Sequence, residues 1–243
     1  MSEGVLSLER ITERPLITIT NIIWSFNRQD RHPQILLIKR ADDPFRGVWA
    51  LPETLLRKSE DADSACVRLI KEKIGLTLPA SSTEQLATFT APDRTPGERF
   101  LALAYMTFLP TMPHLNPGYG ATEAQWFSLN YQGSDYYLQH DQICLKLARG
   151  TRSLAFDHTA IITTALRRIR NKLDYQPNIL KILGPTFTLR QAREVYASFW
   201  QKKVDQIDNS NFQKTHRRLF SEAGVVDKPK HSGRPPKLYK LRN

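Results

Sequence analysis

The sequence is poor in cysteine and lacks a long apolar run. Its two cysteines, Cys66 and Cys144, are too few for a disulfide framework or a zinc site built on cysteines. No stretch approaches the length of a membrane span, and the N-terminal segment MSEGVLSLERITERP carries acidic residues instead of the apolar core of a signal peptide. We therefore expect a soluble, cytoplasmic protein without a membrane partner.

Acidic residues are scarce in the C-terminal third. Of the 35 Lys/Arg and 24 Asp/Glu residues, residues 1–158 hold 17 and 18, and residues 159–243 hold 18 and 6. The net charge is thus −1 for the first segment and +12 for the second. A segment this basic favours a polyanionic partner, either nucleic acid or an anionic membrane face, and the alternative is a solvated basic surface.

The first two thirds of the chain favour an α/β fold. Runs rich in β-branched and aromatic residues predict strands, and apolar residues at three- and four-residue intervals predict helices. The predicted strands are residues 16–26, 34–40, 85–90, 98–109 and 124–129, and the predicted helices are residues 59–74, 137–150 and 158–173. We expect Ser59 to cap the first helix and Gly75 to end it.

The basic C-terminal segment has the pattern of a winged helix-turn-helix. The predicted helices begin at Ile179, Thr188 and Asp208, the last reaching about Ala223, and residues 225–241 are predicted to form two strands around a basic turn. Thr188 and Gln191 have the spacing of a capping box. A helix that exposes basic and amide side chains fits the major groove, while a basic wing meets phosphates. Residues 156–243 are thus assigned to a linker helix and a DNA-binding domain, and residues 1–155 to a separate domain.

Double-stranded DNA is therefore an expected partner. The candidate DNA-binding residues are Arg190, Asn209, Ser210, Asn211, Gln213, Lys214, Arg217, Arg218, Lys230, Arg234 and Lys237.

The stretch from Trp49 to Leu76 has the spacing of a catalytic box but lacks two of its carboxylates. Thr54 stands where the pattern has glycine, and the matches that follow without a gap are Glu60, Arg68, Ile70, Glu72, Gly75 and Leu76. The stretch resembles the Nudix box, whose glutamates hold a divalent metal beside a diphosphate, but Leu69 and Lys73 occupy two of those positions. An alkyl chain and an ammonium group provide no oxygen ligand.

The resemblance implies an α/β/α sandwich that binds a nucleoside diphosphate compound without cleaving it well. We expect no catalytic residue, no metal-binding residue and no required cofactor, with Mg²⁺ needed only for residual hydrolase activity. The candidate ligand-binding residues are Arg40, Arg46, Trp49, Arg68, Glu72, Lys73, Arg94 and Arg99. Lys73 is expected to give a diphosphate a positive partner in place of the metal. For Arg68 the alternative is an ion pair with Glu60 or Glu72 that braces the loop, and His158 is expected to form a hydrogen bond in the linker.

Several ungapped motifs extend the resemblance over residues 15–242. They are LATFTAPDRTPGERFLALAY, LAFDHTAIITTALRRIRNKLDYQP, FTLRQAREVY, IDNSNFQK and GRPPKLYKL. In this order they resemble the Nudix-related transcriptional regulators of the NrtR group. The resemblance implies a homodimeric repressor of NAD biosynthesis or salvage genes, in which the Nudix-like domain binds ADP-ribose as an anti-repressor. It places Asn211, Phe212 and Lys214 in the DNA-reading helix and Arg234 in the wing, and the sequence departs from the group at Ala192, Asn209 and Ser210.

Two alternatives from other classes stay open. The first is a Nudix pyrophosphatase that cleaves ADP-ribose or a related nucleoside diphosphate and holds nucleic acid with its basic segment, against which Leu69 argues. The second is a regulator of the same architecture that senses a sugar, because a Nudix-like domain without its catalytic glutamates need not keep diphosphate chemistry.

Overall fold

The computed structural model describes residues 14–78, 82–148, 150–225 and 235–242. The strands are β1 (Leu16–Asn27), β2 (His32–Arg40), β3 (Trp49–Ala50), β4 (Glu53–Leu55), β5 (Thr83–Phe89), β6 (Phe100–Phe108), β7 (Ala121–Gln132), β8 (Asp135–His140), β9 (Ile143–Leu147), β10 (Phe187–Thr188), β11 (Phe220–Val225) and β12 (Lys237–Leu241). The helices are α1 (Ala62–Ile74), α2 (His158–Lys172), α3 (Leu189–Trp200) and α4 (Asn209–His216), with 3₁₀ helices at Asn178–Leu183 and Val204–Gln206. Within these ranges, no helix is both long and apolar enough to cross a membrane.

Nine strands form one mixed sheet between two helical layers. Seven of them lie in the order β5-β6-β1-β2-β7-β8-β9, with β3 paired to β2 and β4 paired to β1. Because side chains alternate along a strand, Ile19 and Ile23 of β1 pack in the core beneath α1, whereas Ile22 and Trp24 pack in the core shared with α2 and α3. The predicted α/β/α sandwich is confirmed.

The helix of the box starts later than predicted. Its cap is Asp61, whose side chain accepts a hydrogen bond from a backbone amide of the first turn, so the prediction that Ser59 caps this helix is wrong. The chain before Asp61 is held in a loop because the Glu60 carboxylate accepts from the Arg57 amide at 2.8 Å. Gly75 ends the helix with φ 72°, as predicted.

Residues 137–150 contain two strands, and the helix predicted there is wrong. β8 and β9 pair antiparallel around a turn in which Asp141 has φ 48°. Leu138 and Leu147 are buried, whereas Cys144 is exposed. Pairing of β8 with β7 adds this hairpin to the sheet, and such pairing overrides a local helical spacing.

α3 is the central helix of the C-terminal segment. The capping box of Thr188 and Gln191 is present as predicted, and the buried face includes Ala192, Val195 and Phe199. β10, β12 and β11 form a small sheet in this order, and β11 and β12 are the wing. The predicted winged helix-turn-helix is confirmed.

α4 is shorter than predicted. It ends at His216, and Phe220 begins β11, where it pairs with Leu241 of β12. The prediction that the helix continues to Ala223 is therefore wrong. The backbone of this segment satisfies its hydrogen bonds through β12 instead of through a further helical turn.

The two halves of the chain share one hydrophobic core. The ring centre of Trp24 in β1 lies 5.8 Å from that of Phe199 in α3, and the Tyr136 hydroxyl of β8 donates to the Phe199 carbonyl at 2.8 Å. Arg28, just after β1, donates to the Leu183 carbonyl at 2.9 Å. The division of the chain at residue 155 stays a prediction about sequence segments, because packing is continuous across it.

Candidate functional site

Arg68 connects α1 to the segment between β4 and α1, residues 56–61, here called the box loop. Its guanidinium donates to both Glu60 carboxylate oxygens at 2.6 and 2.9 Å, to Glu72 at 2.9 Å, to the Thr54 hydroxyl at 3.1 Å and to the Leu55 carbonyl at 2.9 Å. These contacts use all five N–H donors of an arginine. Arg68 therefore braces the loop, as its alternative interpretation predicted, and has no donor left for a ligand.

The Glu60 carboxylate makes the box sensitive to acid. The hydrogen bond from Arg68 lowers the pKa of Glu60 from 4.5 to about 2, although burial acts in the opposite direction. A carboxylate with a lowered pKa stabilises the fold above its unfolded pKa and loses that contribution as the pH falls toward its folded pKa. We expect Glu60→Gln to unfold at a lower urea concentration than the wild type at neutral pH. The difference should shrink between pH 4.5 and about 2, as measured by circular dichroism.

The control for this prediction is Glu123→Gln. Glu123 pairs with Lys39 at 2.8 Å and has 44% of its side chain exposed, and exposed ion pairs contribute little to stability. This variant should follow the wild type at every pH. A stability difference for Glu60→Gln that is unchanged down to pH 2 would contradict the assigned pKa shift.

Leu69 and Lys73 supply none of the oxygen ligands that a metal needs. Leu69 is fully buried beneath the sheet, while the Lys73 ammonium donates to the Tyr119 carbonyl and lies 5.9 Å from the Tyr119 ring centre. Burial lowers the pKa of Lys73, although the charges of Glu72 and Glu53 act to raise it. Glu72 is itself engaged by two arginines. Across the described ranges, no group of three or more His, Cys, Asp or Glu side chains is placed to hold a metal ion, so these residues do not fit the metal that the box implies.

A cleft lies between the loop joining β2 to β3, the strand β4, the loop joining β5 to β6, and the start of α2. It comprises cavities of about 300 Å³ and about 530 Å³ that share Arg94, Pro96 and Phe156 as lining residues. Arg40 and Glu53 line the smaller cavity. These volumes are those of small-molecule sites, so this cleft is the candidate ligand site.

Glu53 is the central charge of the smaller cavity. Its carboxylate lies 3.7 Å from the Arg40 guanidinium and 3.7 Å from Nε2 of His158. Burial opposes ionisation of Glu53, but His158, Arg40 and Arg94 together lower its pKa. Nδ1 of His158 accepts a hydrogen bond from the Leu51 amide at 3.0 Å, so a neutral ring carries its hydrogen on Nε2, which faces Glu53. His158 thus connects the start of α2 to Leu51 and to Glu53 of β4.

Arg94 and Phe156 line both cavities, and Phe45 lines the larger one. The buried Arg94 guanidinium donates to both oxygens of Asp157, the residue before α2, at 3.1 and 2.8 Å. The Phe156 ring lies 4.8 Å from the Arg40 guanidinium carbon and 4.9 Å from the Phe45 ring. Phe45 and Phe156 have φ values of 70° and 54°, which bulky residues rarely adopt. Such strain is concentrated at ligand-binding sites.

The other predicted ligand contacts lie outside the cleft. Trp49 is buried in the core, with its ring centre 4.9 Å from an aromatic ring of β7. Arg99 donates to two carbonyls of its own loop at 2.6 Å. Arg46 is exposed, and its side chain forms no hydrogen bond or ion pair with the residues that the structure describes. Of the predicted residues, the structure places Arg40 and Arg94 at the cleft.

Sequence reasoning missed four residues that shape the cleft. They are Phe45, Glu53, Phe156 and Asp157. A signal was present for the last two, because the Phe-Asp-His triplet was among the motifs that carried the family resemblance.

α4 presents most of the predicted DNA-binding side chains. The Asp208 side chain caps α4 by accepting a hydrogen bond from the Asn211 amide at 2.7 Å, and Phe212 and His216 form the buried face of the helix. The predicted residues left exposed are Asn209, Ser210, Asn211, Gln213, Lys214, Arg217 and Arg218.

Two of the remaining DNA-binding candidates lie on α3 and β12. The exposed Arg190 of α3 pairs with Glu194 at 3.2 Å, and Lys237 of β12 pairs with an acidic residue of β11 at 2.6 Å. Lys230 and Arg234, predicted for the wing, lie outside the described residues.

α2 connects the cleft to the winged helix. It starts at Asp157, which Arg94 holds, and at its other end the Leu173 carbonyl accepts from the Tyr196 hydroxyl of α3 at 2.6 Å. The next residue, Asp174, has a carboxylate oxygen 3.2 Å from Nε2 of His216 in α4. Both ends of α2 are therefore fixed by side-chain contacts.

His216 fastens α4 to the end of α2. Its Nδ1 lies 2.9 Å from the Phe212 carbonyl and its Nε2 lies 3.2 Å from the Asp174 carboxylate. The rings of Tyr196 and Phe212 lie 5.0 and 4.4 Å from the ring of His216, so the imidazole packs among aromatic side chains of α3 and α4.

Comparison with known proteins identifies both segments. The model of the NUDIX domain matches residues 18–135, and the model of the NrtR DNA-binding winged helix domain matches residues 179–241. The chain is 33% identical to a MutT/nudix family protein from Enterococcus faecalis, with a TM-score of 0.84 over 95% of this chain and 87% of that one. It is 28% identical over 233 residues to the ADPR responsive transcriptional repressor NtrR of Acinetobacter baylyi, covering 93% of this chain and 82% of that protein. It is 30% identical over 158 residues to the ADP-ribose pyrophosphatase of Methanocaldococcus jannaschii, covering 65% and 77% respectively.

The fold and the matched segments define a protein in which a Nudix domain precedes a DNA-binding winged helix domain. The E. faecalis structure has the same fold over nearly the whole chain. The chain belongs to the MutT/Nudix family, and its C-terminal segment matches the NrtR DNA-binding winged helix domain.

Proposed function

We propose that the protein is a transcriptional repressor that binds double-stranded operator DNA and senses ADP-ribose through its Nudix domain. The observation that carries this proposal is the joining of a DNA-binding winged helix to a Nudix domain with Leu69 and Lys73 at two metal positions. The A. baylyi relative is described as an ADPR responsive transcriptional repressor. ADP-ribose then acts as an anti-repressor, the regulated genes are those of NAD biosynthesis or salvage, and the repressor is a cytoplasmic homodimer.

The cleft offers groups that suit a nucleoside diphosphate. Arg40 and Arg94 provide positive charge for phosphate oxygens, and Phe45 and Phe156 provide aromatic surface for a base or a sugar ring. Glu53 provides a carboxylate that accepts hydrogen bonds from ribose hydroxyls. Fixed cations take over the electrostatic role of a metal, so binding requires no cofactor, and Mg²⁺ matters only for residual hydrolysis.

α2 is the proposed connection between the ligand and the DNA. A ligand that changes the pairing of Arg94 with Asp157 acts on the first turn of this 15-residue helix. The far end of α2 contacts α3 and α4 through Leu173 and Asp174. In a dimer, two recognition helices must match half-sites about one turn of DNA apart, roughly 34 Å, so a small shift of α4 lowers the affinity for DNA.

We expect ADP-ribose to release the protein from its operator. A binding fragment is first selected from genomic DNA with the purified full-length protein, and its complex is then titrated with ADP-ribose and followed by fluorescence anisotropy. Allosteric couplings of about 1–3 kcal/mol change affinity by roughly 5- to 150-fold, so a rise of about tenfold in the dissociation constant for DNA is expected. NAD, a pentose and a pentose phosphate serve as comparison ligands.

The matched variants for this titration are Arg40→Gln and Arg46→Gln, which make the same change in neighbouring positions. Arg40 lines the cleft, whereas Arg46 is exposed outside it. Arg40→Gln should need more ADP-ribose for release, and Arg46→Gln should behave like the wild type. Release by the pentose instead of ADP-ribose would favour a sugar sensor. Hydrolysis of ADP-ribose with Mg²⁺ or Mn²⁺ at about one turnover per second or more would favour an enzyme.

A further inference from the structure

The outward side of α2 is basic and free of acidic residues. Between Asp157 and Asp174 the sequence contains no Asp or Glu, and its cations are Arg167, Arg168, Arg170 and Lys172. A shallow groove of about 290 Å³ follows this side of the helix. Its lining residues, here called the α2 basic face, are Thr164, Arg167, Arg168, Asn171, Lys172 and Tyr175.

Two cations of the α2 basic face are free to bind a partner. Lys172 is held by Glu84 at 2.8 Å, but the side chains of Arg167 and Arg168 make no hydrogen bond or ion pair with the residues that the structure describes. Tyr175 is 63% exposed at the end of the groove. The guanidinium groups of Arg167 and Arg168 lie beside the Asn171 amide and the Tyr175 hydroxyl. All of these groups can donate hydrogen bonds to phosphate oxygens.

The α2 basic face adjoins the DNA-reading helix. Asp174 lies next to Tyr175 in sequence and 3.2 Å from His216, the last residue of α4. Arg217 and Arg218 follow directly and are exposed. The C-terminal ends of α2 and α4 therefore meet at the Asp174–His216 contact, and exposed basic side chains precede it in α2 and follow it after α4. Arg168 and Arg167 lie six and seven residues before Asp174, or roughly 10 Å along a helix axis.

We propose that the α2 basic face binds phosphates of the same DNA duplex, next to the segment that α4 reads. This proposal rests on the proposed DNA-binding function and extends it from the winged helix to the linker helix. Phosphate contacts fix the position of a protein on DNA and add affinity without reading sequence. A second copy of the chain fits the face poorly, because the cores of protein interfaces are depleted in charged residues.

The test is the salt dependence of DNA binding by Arg167→Gln/Arg168→Gln in the full-length protein. Each lost phosphate contact makes the slope of log affinity against log salt shallower by about 0.9, so the double variant should be shallower by about 1.8. Its affinity at low salt should fall at least about tenfold, for the operator and for unrelated DNA alike. Arg167→Lys/Arg168→Lys keeps both charges and should keep the slope.

The matched control is Lys58→Gln/Lys71→Gln, which removes two exposed cations of the Nudix domain and should leave the slope unchanged. If the wild type binds no DNA, the proposed function itself fails. If the wild type binds and Arg167→Gln/Arg168→Gln keeps its slope and affinity, only the role of the α2 basic face is overturned. A change of oligomeric state in the double variant, measured by sedimentation, would also overturn it, by assigning the face to self-association.

Discussion

Leu69→Glu is expected to lower the free energy of unfolding by about 4 kcal/mol, and the midpoint of thermal unfolding by on the order of 10 °C. Leu69 has no exposed surface and packs between α1 and the sheet. A carboxylate placed there leaves water, and the neighbouring cation, Arg68, already uses all of its donors. Thermal unfolding followed by circular dichroism measures the loss.

Leu69→Met and Lys73→Glu are the controls for this substitution. Leu69→Met nearly conserves volume and should cost less than about 1.5 kcal/mol. Lys73→Glu changes a partly buried residue in the last turn of α1 and should cost less than Leu69→Glu. A Leu69→Glu variant with an unchanged midpoint and new Mg²⁺-dependent hydrolysis of ADP-ribose would contradict both the burial of Leu69 and the sensing role of the box.

Phe212→Ala is expected to lower the affinity for operator DNA at least about 100-fold, because loss of a buried phenylalanine costs about 3–5 kcal/mol. The Phe212 ring lies 4.9, 6.5 and 4.4 Å from the rings of Tyr196, Trp200 and His216. α4 has eight residues, fewer than the roughly 12–15 that an isolated helix needs to be even marginally stable. The shape of the DNA-reading surface therefore depends on this packing. Fluorescence anisotropy with labelled operator measures the loss.

Phe212→Leu is the matched control. It keeps an apolar side chain on the buried face of α4 and should retain most of the affinity. Binding of ADP-ribose to Phe212→Ala, measured by calorimetry below the unfolding temperature, should persist because the cleft lies at the other end of α2. A DNA affinity within threefold of the wild type would contradict the packing role of Phe212.

Local patterns in the sequence predicted the elements that carry a continuous apolar signal. β1 and β6 are long β-branched and aromatic runs, and α3 has both an apolar stripe and a capping box. Residues 137–150 have a spacing that fits a helix or two strands, and pairing with β7 decides between them. Phe220 likewise continues the apolar spacing of Phe212 and His216, but its backbone pairs with β12. Tertiary contacts of this kind leave no local signal.

The composition of the cleft was less predictable than the fold. Arg40 and Arg94 could be predicted because both are cations. Arg40 is close to the box in sequence, and Arg94 lies in the loop between two predicted strands. Glu53 and Phe156 meet only because the sheet places β4 beside the start of α2. Trp49 was placed at the ligand from its position in the box, yet pairing of β3 with β2 directs its ring into the core.

The hydrophobic core that joins Trp24 of the sheet to Phe199 of α3 is shared by the Nudix domain and the winged helix domain. We therefore expect the two domains to unfold together. A destabilising substitution in the Nudix domain also depletes the folded winged helix, so the cellular amount of active repressor reflects the stability of the whole chain. Removing residues 1–155 would leave Phe199 facing water. The winged helix of this protein is therefore expected to depend on the Nudix domain for part of its own stability.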